Sequence, residues 1–312
     1  MKFLIIGAGG IGAYYGARLI EAGHQVVLVA RGVHLQAMQQ RGLKVRHESF
    51  DFESAVDACD SESLIRHYRP DDFDVALLAL KSTATAAVLE DMVNWLQPGQ
   101  LPLLSLQNGV DNEPLLAETL GAGRVLGGLA VRIGGHIVEP GVIEAEGPAQ
   151  VIMGAWPRAA GDARDELLQR LETCFNDAGI PAQVTPNIIA ELWRKLVINN
   201  GVNPLSALTL LDTRRLTHHP EFGPIVYGMM QETAQAAKAD GVELSKKDVD
   251  EMFELIRSFN AIKTSMLVDR EKGRPLELDS IAGAVLDRCR KQGIAAPYTE
   301  LVMALLKHQY RP

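Results

Sequence analysis

The stretch Lys2-Phe3-Leu4-Ile5-Ile6-Gly7-Ala8-Gly9-Gly10-Ile11-Gly12 runs an apolar strand straight into a G-x-G-x-x-G spacing. Ala13 to Glu21 follows with helical character, Gly23 closes it, and Gln25 to Ala30 reads as a second strand. Glycine triplets are common in loops, but between a strand and a helix this spacing is a dinucleotide-binding signature. Gly7 allows the tight turn, and Gly9 lets the backbone come up to a pyrophosphate. Gly12 lets the helix lie on the sheet with its first amides aimed at the phosphates. The cofactor-binding candidates are therefore Gly7, Ala8, Gly9, Gly10, Ile11 and Gly12.

The second strand ends in Val29-Ala30-Arg31-Gly32. A site for NAD places a carboxylate here to hold the ribose 2′-hydroxyl. Arg31 instead offers a guanidinium able to pair bidentately with a 2′-phosphate, which points to NADP(H). The competing reading is a solvated loop arginine.

The chain has 312 residues, a length for which two domains are expected. It is 47% hydrophobic and 22% charged, with a formal net charge of −8, which argues against a nucleic-acid or membrane-surface partner. No apolar run reaches membrane-spanning length, and the N-terminus reads as the first strand rather than a signal peptide. Cys59, Cys174 and Cys289 are odd in number and lack metal-ligand spacing, so no metal is expected. They suit buried thiols in a reducing cytoplasm. Nothing in the sequence separates a monomer from a homodimer.

The first half alternates strands and helices. Phe73 to Leu80 is a nearly continuous apolar run, typical of a parallel strand buried on both faces, and Ala84 to Trp95 follows as a helix. Leu101 to Leu106 is the next strand, ending at Gln107-Asn108-Gly109. From Arg124 to Met153, short apolar stretches broken by Gly and Pro suggest an antiparallel meander extending the sheet, and Asp162 to Ala178 reads as a helix. Beyond about Thr185 the strand signals stop. Residues 188–211, 221–240, 246–259, 278–291 and 297–308 show helical periodicity. The expected architecture is α/β: a Rossmann-type dinucleotide-binding domain over 1–184, then an all-helical substrate domain over 185–312, with the active site in the cleft between them.

Ligands of open parallel sheets bind beyond the carboxyl ends of the strands, where Lys81 and Asn108 fall. In the helical half, Lys195, Asn199 and Asn203 recur at i, i+4 and i+8, on one helix face with about 40° of drift per step. Leu196, Val197, Ile198 and Val202 lie between them. Amide and ammonium groups are costly among apolar residues, so the row suits the wall of a polar cleft. A solvated stripe is the alternative. Pro204 is expected to kink or end that helix near Asn203.

The glycine motif, Lys81, Gln107-Asn108-Gly109, Trp193-Arg194-Lys195 with its asparagines, and Thr264-Ser265-Met266-Leu267 followed by Glu277 together resemble the ketopantoate reductase family, along the whole chain. The resemblance implies NADPH-dependent reduction of 2-dehydropantoate to pantoate in pantothenate biosynthesis. It implies Lys195 as general acid and Glu277 as the acid that orients substrate and lysine. It gives Asn108, Asn199, Asn203 and Ser265 contacts with a small 2-oxo acid, Lys81 and Asn108 places near the cofactor, and Arg31 the 2′-phosphate. By themselves, Glu277 reads as a first-turn acid and Ser265 as a helix cap. Asp111 and Gly201 stand where the resemblance prescribes no residue. A reductase for another branched 2-oxo acid, and a non-catalytic NADP(H)-sensing protein, remain as alternatives.

Overall fold

A computed structural model describes residues 1–310. Its twelve strands are β1 (Lys2–Ile6), β2 (Gln25–Val29), β3 (Leu43–His47), β4 (Phe50–Ser54), β5 (Asp57–Cys59), β6 (Val75–Leu78), β7 (Leu103–Ser105), β8 (Val125–Val131), β9 (Gly134–Glu139), β10 (Val142–Glu146), β11 (Gln150–Ala155) and β12 (Ala182–Val184). Helices α1 (Gly10–Glu21), α2 (Gly32–Arg41), α3 (Ser61–His67), α4 (Thr85–Leu96), α5 (Asn112–Leu120) and α6 (Asp165–Asp177) are interleaved with them. Then come α7 (Ile188–Thr209), α8 (Thr213–Thr217), α9 (Phe222–Ala236), α10 (Lys246–Ser258), α11 (Ser265–Glu271), α12 (Ala284–Gln292) and α13 (Pro297–Gln309). Two compact units result. One comprises residues 1–107 and 112–188; the other comprises 108–111 and 189–312.

In the first unit the main sheet has the order β12-β11-β8-β7-β6-β1-β2-β5. Its strands are parallel from β5 to β8, and β11 joins antiparallel to β8. Alternation along β1 explains why helices cover both faces. Phe3 and Ile5 pack with Tyr14, Tyr15 and Phe175 on one side, while Leu4 and Ile6 pack with Leu64, Leu89, Met92 and Leu116 on the other. Strand order reverses at β1: the chain goes to β2 on one side and later to β6 on the other. The carboxyl end of β1 is therefore the switch point at which open α/β sheets take up ligands.

The expectation that 124–153 extends this sheet holds only for β8 and β11. Strands β9 and β10 leave it and join β3 and β4 in a second sheet, ordered β4-β3-β10-β9, with β10 parallel to β3. Leu43, Val45, Phe52 and Ile143 form its apolar face and share a core with Tyr14 and Tyr15 of α1. Period-two alternation is the same for either partner, so it could not say which sheet these strands would join.

The second unit is helical. Its core is made by Val197, Val202 and Leu205 of α7 with Val226, Met229 and Met230 of α9, Val249, Met252 and Ile256 of α10, and Val302 of α13. Pro204 does not end α7, which continues to Thr209. Residues 201 to 207 are all buried, and packing outweighs the one backbone hydrogen bond that proline removes. At Gly201, in mid-helix, α9 packs closely: a Cβ there would lie 2.6 Å from Met230 Cγ.

One buried ion pair staples α6 to the sheet. The Arg164 guanidinium meets Asp162 at 2.6 Å and donates to the carbonyls of Ala122, Val125, Trp156 and Pro157. The bonds from Arg164, together with the amides of Ala159 and Arg164, hold the Asp162 carboxyl well below the usual carboxylate range. A depressed carboxylate stabilises fully above its unfolded-state pKa of about 4, and that contribution is lost as pH falls through the folded-state value. Asp162→Asn should therefore lower unfolding free energy by about 3 kcal/mol at neutral pH, with the deficit shrinking in strong acid. Denaturant titrations at the two pH values measure this; equal stability at neutral pH would refute the staple.

Candidate functional site

At the end of β1 the chain turns through Gly7, whose φ of 101° is in the region that favours glycine, and enters α1 at Gly9. The turn is tight on almost every side. A Cβ on Gly12 would lie 2.2 Å from the Gly7 carbonyl oxygen, and one on Gly10 would lie 2.1 Å from the Gly135 carbonyl oxygen at the start of β9. Gly9 differs, with no protein atom within 4 Å of a Cβ placed there. The protein's own packing thus demands glycine at 10 and 12 but not at 9. The opening at Gly9, beside the first amides of α1, suits a pyrophosphate approaching the backbone.

His34 supports this turn and was not a candidate from sequence. It is buried in α2, where its Nε2–H donates to the Ala8 carbonyl (3.0 Å) and its Nδ1 accepts from the Gly141 amide (3.0 Å). That pair of bonds requires the neutral Nε2–H tautomer. Burial pushes its pKa down, against the opposing bond to Ala8. Its partners are 26 and 107 positions away, so no local pattern in the sequence singled it out. Arg31 itself is exposed, immediately before α2, and makes no ion pair among the described residues.

Lys81 follows β6 and begins a short 3-10 turn, Ser82–Ala84, that leads into α4. Gln107, 3% exposed, holds this connection: its Nε2 donates to the Leu80 carbonyl (3.1 Å) and to Thr85 Oγ1 (2.8 Å). The Thr85 hydroxyl in turn donates to Asn112 Oδ1 (3.0 Å). In the Gln107-Asn108-Gly109 motif, then, the glutamine supports the loop that carries Lys81. Asn108 belongs to the second unit.

There, Asn108 Nδ2 donates to Glu277 Oε2 at 3.2 Å. Glu277 is buried just ahead of the helical run that begins with a π-helical turn, Asp279–Gly283, and continues as α12. Its carbonyl accepts the Ile281 amide. On α7, Trp193 is in the core, Arg194 pairs with Asp248 of α10 at 2.6 Å, and Lys195 and Asn199 are half-buried. The side chains of Asn203, 5% exposed, and Asn199 make no hydrogen bond to a described residue. The neighbouring Asn200 is fully buried and donates to Thr233 Oγ1 (2.9 Å) and Thr299 Oγ1 (3.1 Å), joining α7 to α9 and α13. The helix therefore separates a structural asparagine from the row at 195, 199 and 203. Ser265 is exposed, and the hydroxyl capping α11 is that of Thr264, which accepts from the Leu267 amide. The cap reading of Ser265 is corrected accordingly. Among the described residues no cluster of His, Cys, Asp or Glu could hold a metal, and no helix is long and apolar enough to cross a membrane.

A doubly wound sheet with an open glycine turn at its switch point, joined in sequence to a helical unit, is the architecture of a dinucleotide-binding protein. The chain belongs to the ketopantoate reductase family: residues 3–158 match the model described as Ketopantoate reductase PanE/ApbA, and residues 187–310 match its C-terminal counterpart. It is 28% identical to a 2-dehydropantoate 2-reductase of Pyrococcus abyssi, over 98% of this chain and 97% of that one. The crystal structure of 2-dehydropantoate 2-reductase from Geobacter metallireducens is 31% identical, with a TM-score of 0.86 over 99% of this chain and 100% of that one. The fold is also that of a D-mandelate dehydrogenase solved with NADH and anilino(oxo)acetate, 22% identical with a TM-score of 0.88, covering 99% and 98% of the two chains.

The difference between Gly9 and Gly10 can be tested. Gly9→Ala should keep the wild-type melting temperature while weakening dinucleotide binding by at least about 10-fold, because only the ligand needs that space. Gly10→Ala should lower stability by about 1–3 kcal/mol through overpacking against Gly135. Thermal melts and dinucleotide titrations of both variants decide it. Loss of stability in Gly9→Ala with unaltered binding would count against the assignment.

Proposed function

We propose that the protein is an NADPH-dependent reductase of a 2-oxo acid, with 2-dehydropantoate as its substrate and pantoate as its product. What supports this most is the Asn108–Glu277 pair in the unit that also carries the row Lys195, Asn199 and Asn203, in a chain of this family. The first unit, with its glycine turn and Arg31, is the NADP-binding domain, and the helical unit is the substrate domain.

When bound, the reduced nicotinamide supplies a hydride to C2 of the 2-oxo acid. Negative charge builds on the carbonyl oxygen as the C=O double bond becomes single. The Lys195 ammonium stabilises that charge and donates the proton that completes the 2-hydroxy acid, afterwards regaining one from solvent. Glu277 orients Lys195 and accepts a hydrogen bond from the substrate hydroxyl. Asn108, Asn199, Asn203 and Ser265 supply the remaining donors and acceptors, and Lys81 adds positive charge near the carboxylate and the cofactor.

Arg31 is read as the partner of the 2′-phosphate that distinguishes NADPH from NADH. Arg31→Ala should weaken NADPH binding by about 10- to 150-fold, the worth of one charge-assisted contact, and leave NADH binding unchanged. Fluorescence titration with both cofactors measures it. Equal affinity of the wild type for the two would remove the NADP assignment.

Steady-state NADPH oxidation over a panel of 2-oxo acids tests the substrate. Ketoisovalerate has the branched skeleton of ketopantoate but lacks its hydroxyl, and a site built to bind that hydroxyl can discriminate by up to about 10⁴-fold in kcat/KM. Lys195→Ala should lower kcat by at least about 100-fold with NADPH binding intact. A kcat/KM for ketoisovalerate equal to that for ketopantoate would point to another branched 2-oxo acid. Failure of every acid tested would favour an NADP(H)-sensing protein.

A further inference from the structure

The segment Asn108-Gly109-Val110-Asp111 leaves the first unit for four residues and belongs to the second. It is held at both ends by one helical run. At its start, Asn108 donates to Glu277. In the middle, Gly109, with φ 97°, lies so close to the π-helical turn that a Cβ would be 2.9 Å from the Ser280 carbonyl oxygen. At its end, the Asp111 carboxylate pairs with Arg288 of α12 at 2.5 Å.

Arg288 is an unusual residue to find in that place. It is 8% exposed, its guanidinium lies 5.8 Å from the centre of the Trp193 ring on α7, and it also pairs with Asp240 at 3.1 Å. Arginine is rarely buried to this degree unless it is paired. Asp240 already supplies one negative charge; Asp111, whose side chain is half exposed, supplies the second. Arg288 therefore joins four pieces of chain: the helix bearing Lys195, the run bearing Glu277, the turn bearing Asp240 and the segment bearing Asn108.

We propose that Asp111, anchored by Arg288, is a positioning residue that fixes the 108–111 segment so that the Asn108 amide stays on the Glu277 carboxylate. This rests on the reading of Asn108 and Glu277 as substrate-site groups. Arg288 keeps Asp240 as a partner when Asp111 is neutralised, so Asp111→Asn leaves the core paired, whereas Arg288→Met strands two carboxylates and endangers folding.

Asp111→Asn should lower kcat/KM for the 2-oxo acid by about 10-fold, leave NADPH affinity unchanged, and keep the wild-type melting temperature. Asp111→Glu should recover part of the loss. In an Asn108→Ala background, Asp111→Asn should cost nothing further, because its effect passes through Asn108. Independently of turnover, hydrogen exchange at the amides of residues 109 to 111 should quicken in Asp111→Asn. Additive losses in the double variant, or unchanged exchange, would overturn the proposal. A wild type that reduces no 2-oxo acid would refute the function proposed above, and the exchange measurement would then decide the anchor by itself.

Discussion

The first unit depends on the absence of room around the N-terminus of α1. Helix α1 can lie against the end of β1 only because Gly12 presents no side chain to the Gly7 carbonyl, and β9 can cross it only because Gly10 presents none to Gly135. A methyl group at either position would meet backbone, which cannot move aside as a flexible side chain would. This closeness aims the helix's unbonded amides outward from the sheet and brings the second sheet onto α1 through Tyr14 and Tyr15. His34 adds a hydrogen-bonded link between the same turn and the β9–β10 hairpin.

In the second unit, one long helix does several unlike things on different faces. Trp193, Val197 and Asn200 face into the bundle, Arg194 reaches α10, and Lys195, Asn199 and Asn203 form a separate row. The hundred-degree step between residues separates these roles, so adjacent asparagine side chains differ: that of Asn200 joins three helices, while that of Asn199 bonds to no described residue. Gly201 and Pro204 are poor helix residues in isolation. Both are accommodated because α9 packs against the glycine and the whole stretch from 201 to 207 is buried.

Much of this was legible in the sequence. The glycine spacing, the apolar run that became β6 and the helical periodicity after residue 185 are local patterns, and they led to the correct α/β class with a helical second half. Strand ends differed by one or two residues: Phe73 to Leu80 shortened to Val75–Leu78, because apolar character continues past the last ladder hydrogen bond. Helices α2, α3, α5 and α8 and strands β3, β4, β5 and β12 were not anticipated, and α8 carries too few turns to show a period.

What the sequence determined by itself is whatever repeats within one element: which residues share a face, where a turn needs glycine, which strands are buried on both sides. Only the tertiary structure decided that β9 and β10 pair with β3 and β4 instead of lengthening the main sheet, that Gln107 supports the Lys81 loop, and that residues 108–111 pack against the run from Glu277 to Arg288. The physical reason is common to all three. Each is a contact between residues tens to more than a hundred positions apart, and its energy comes from shape and charge on the partner, which no periodicity within either segment records.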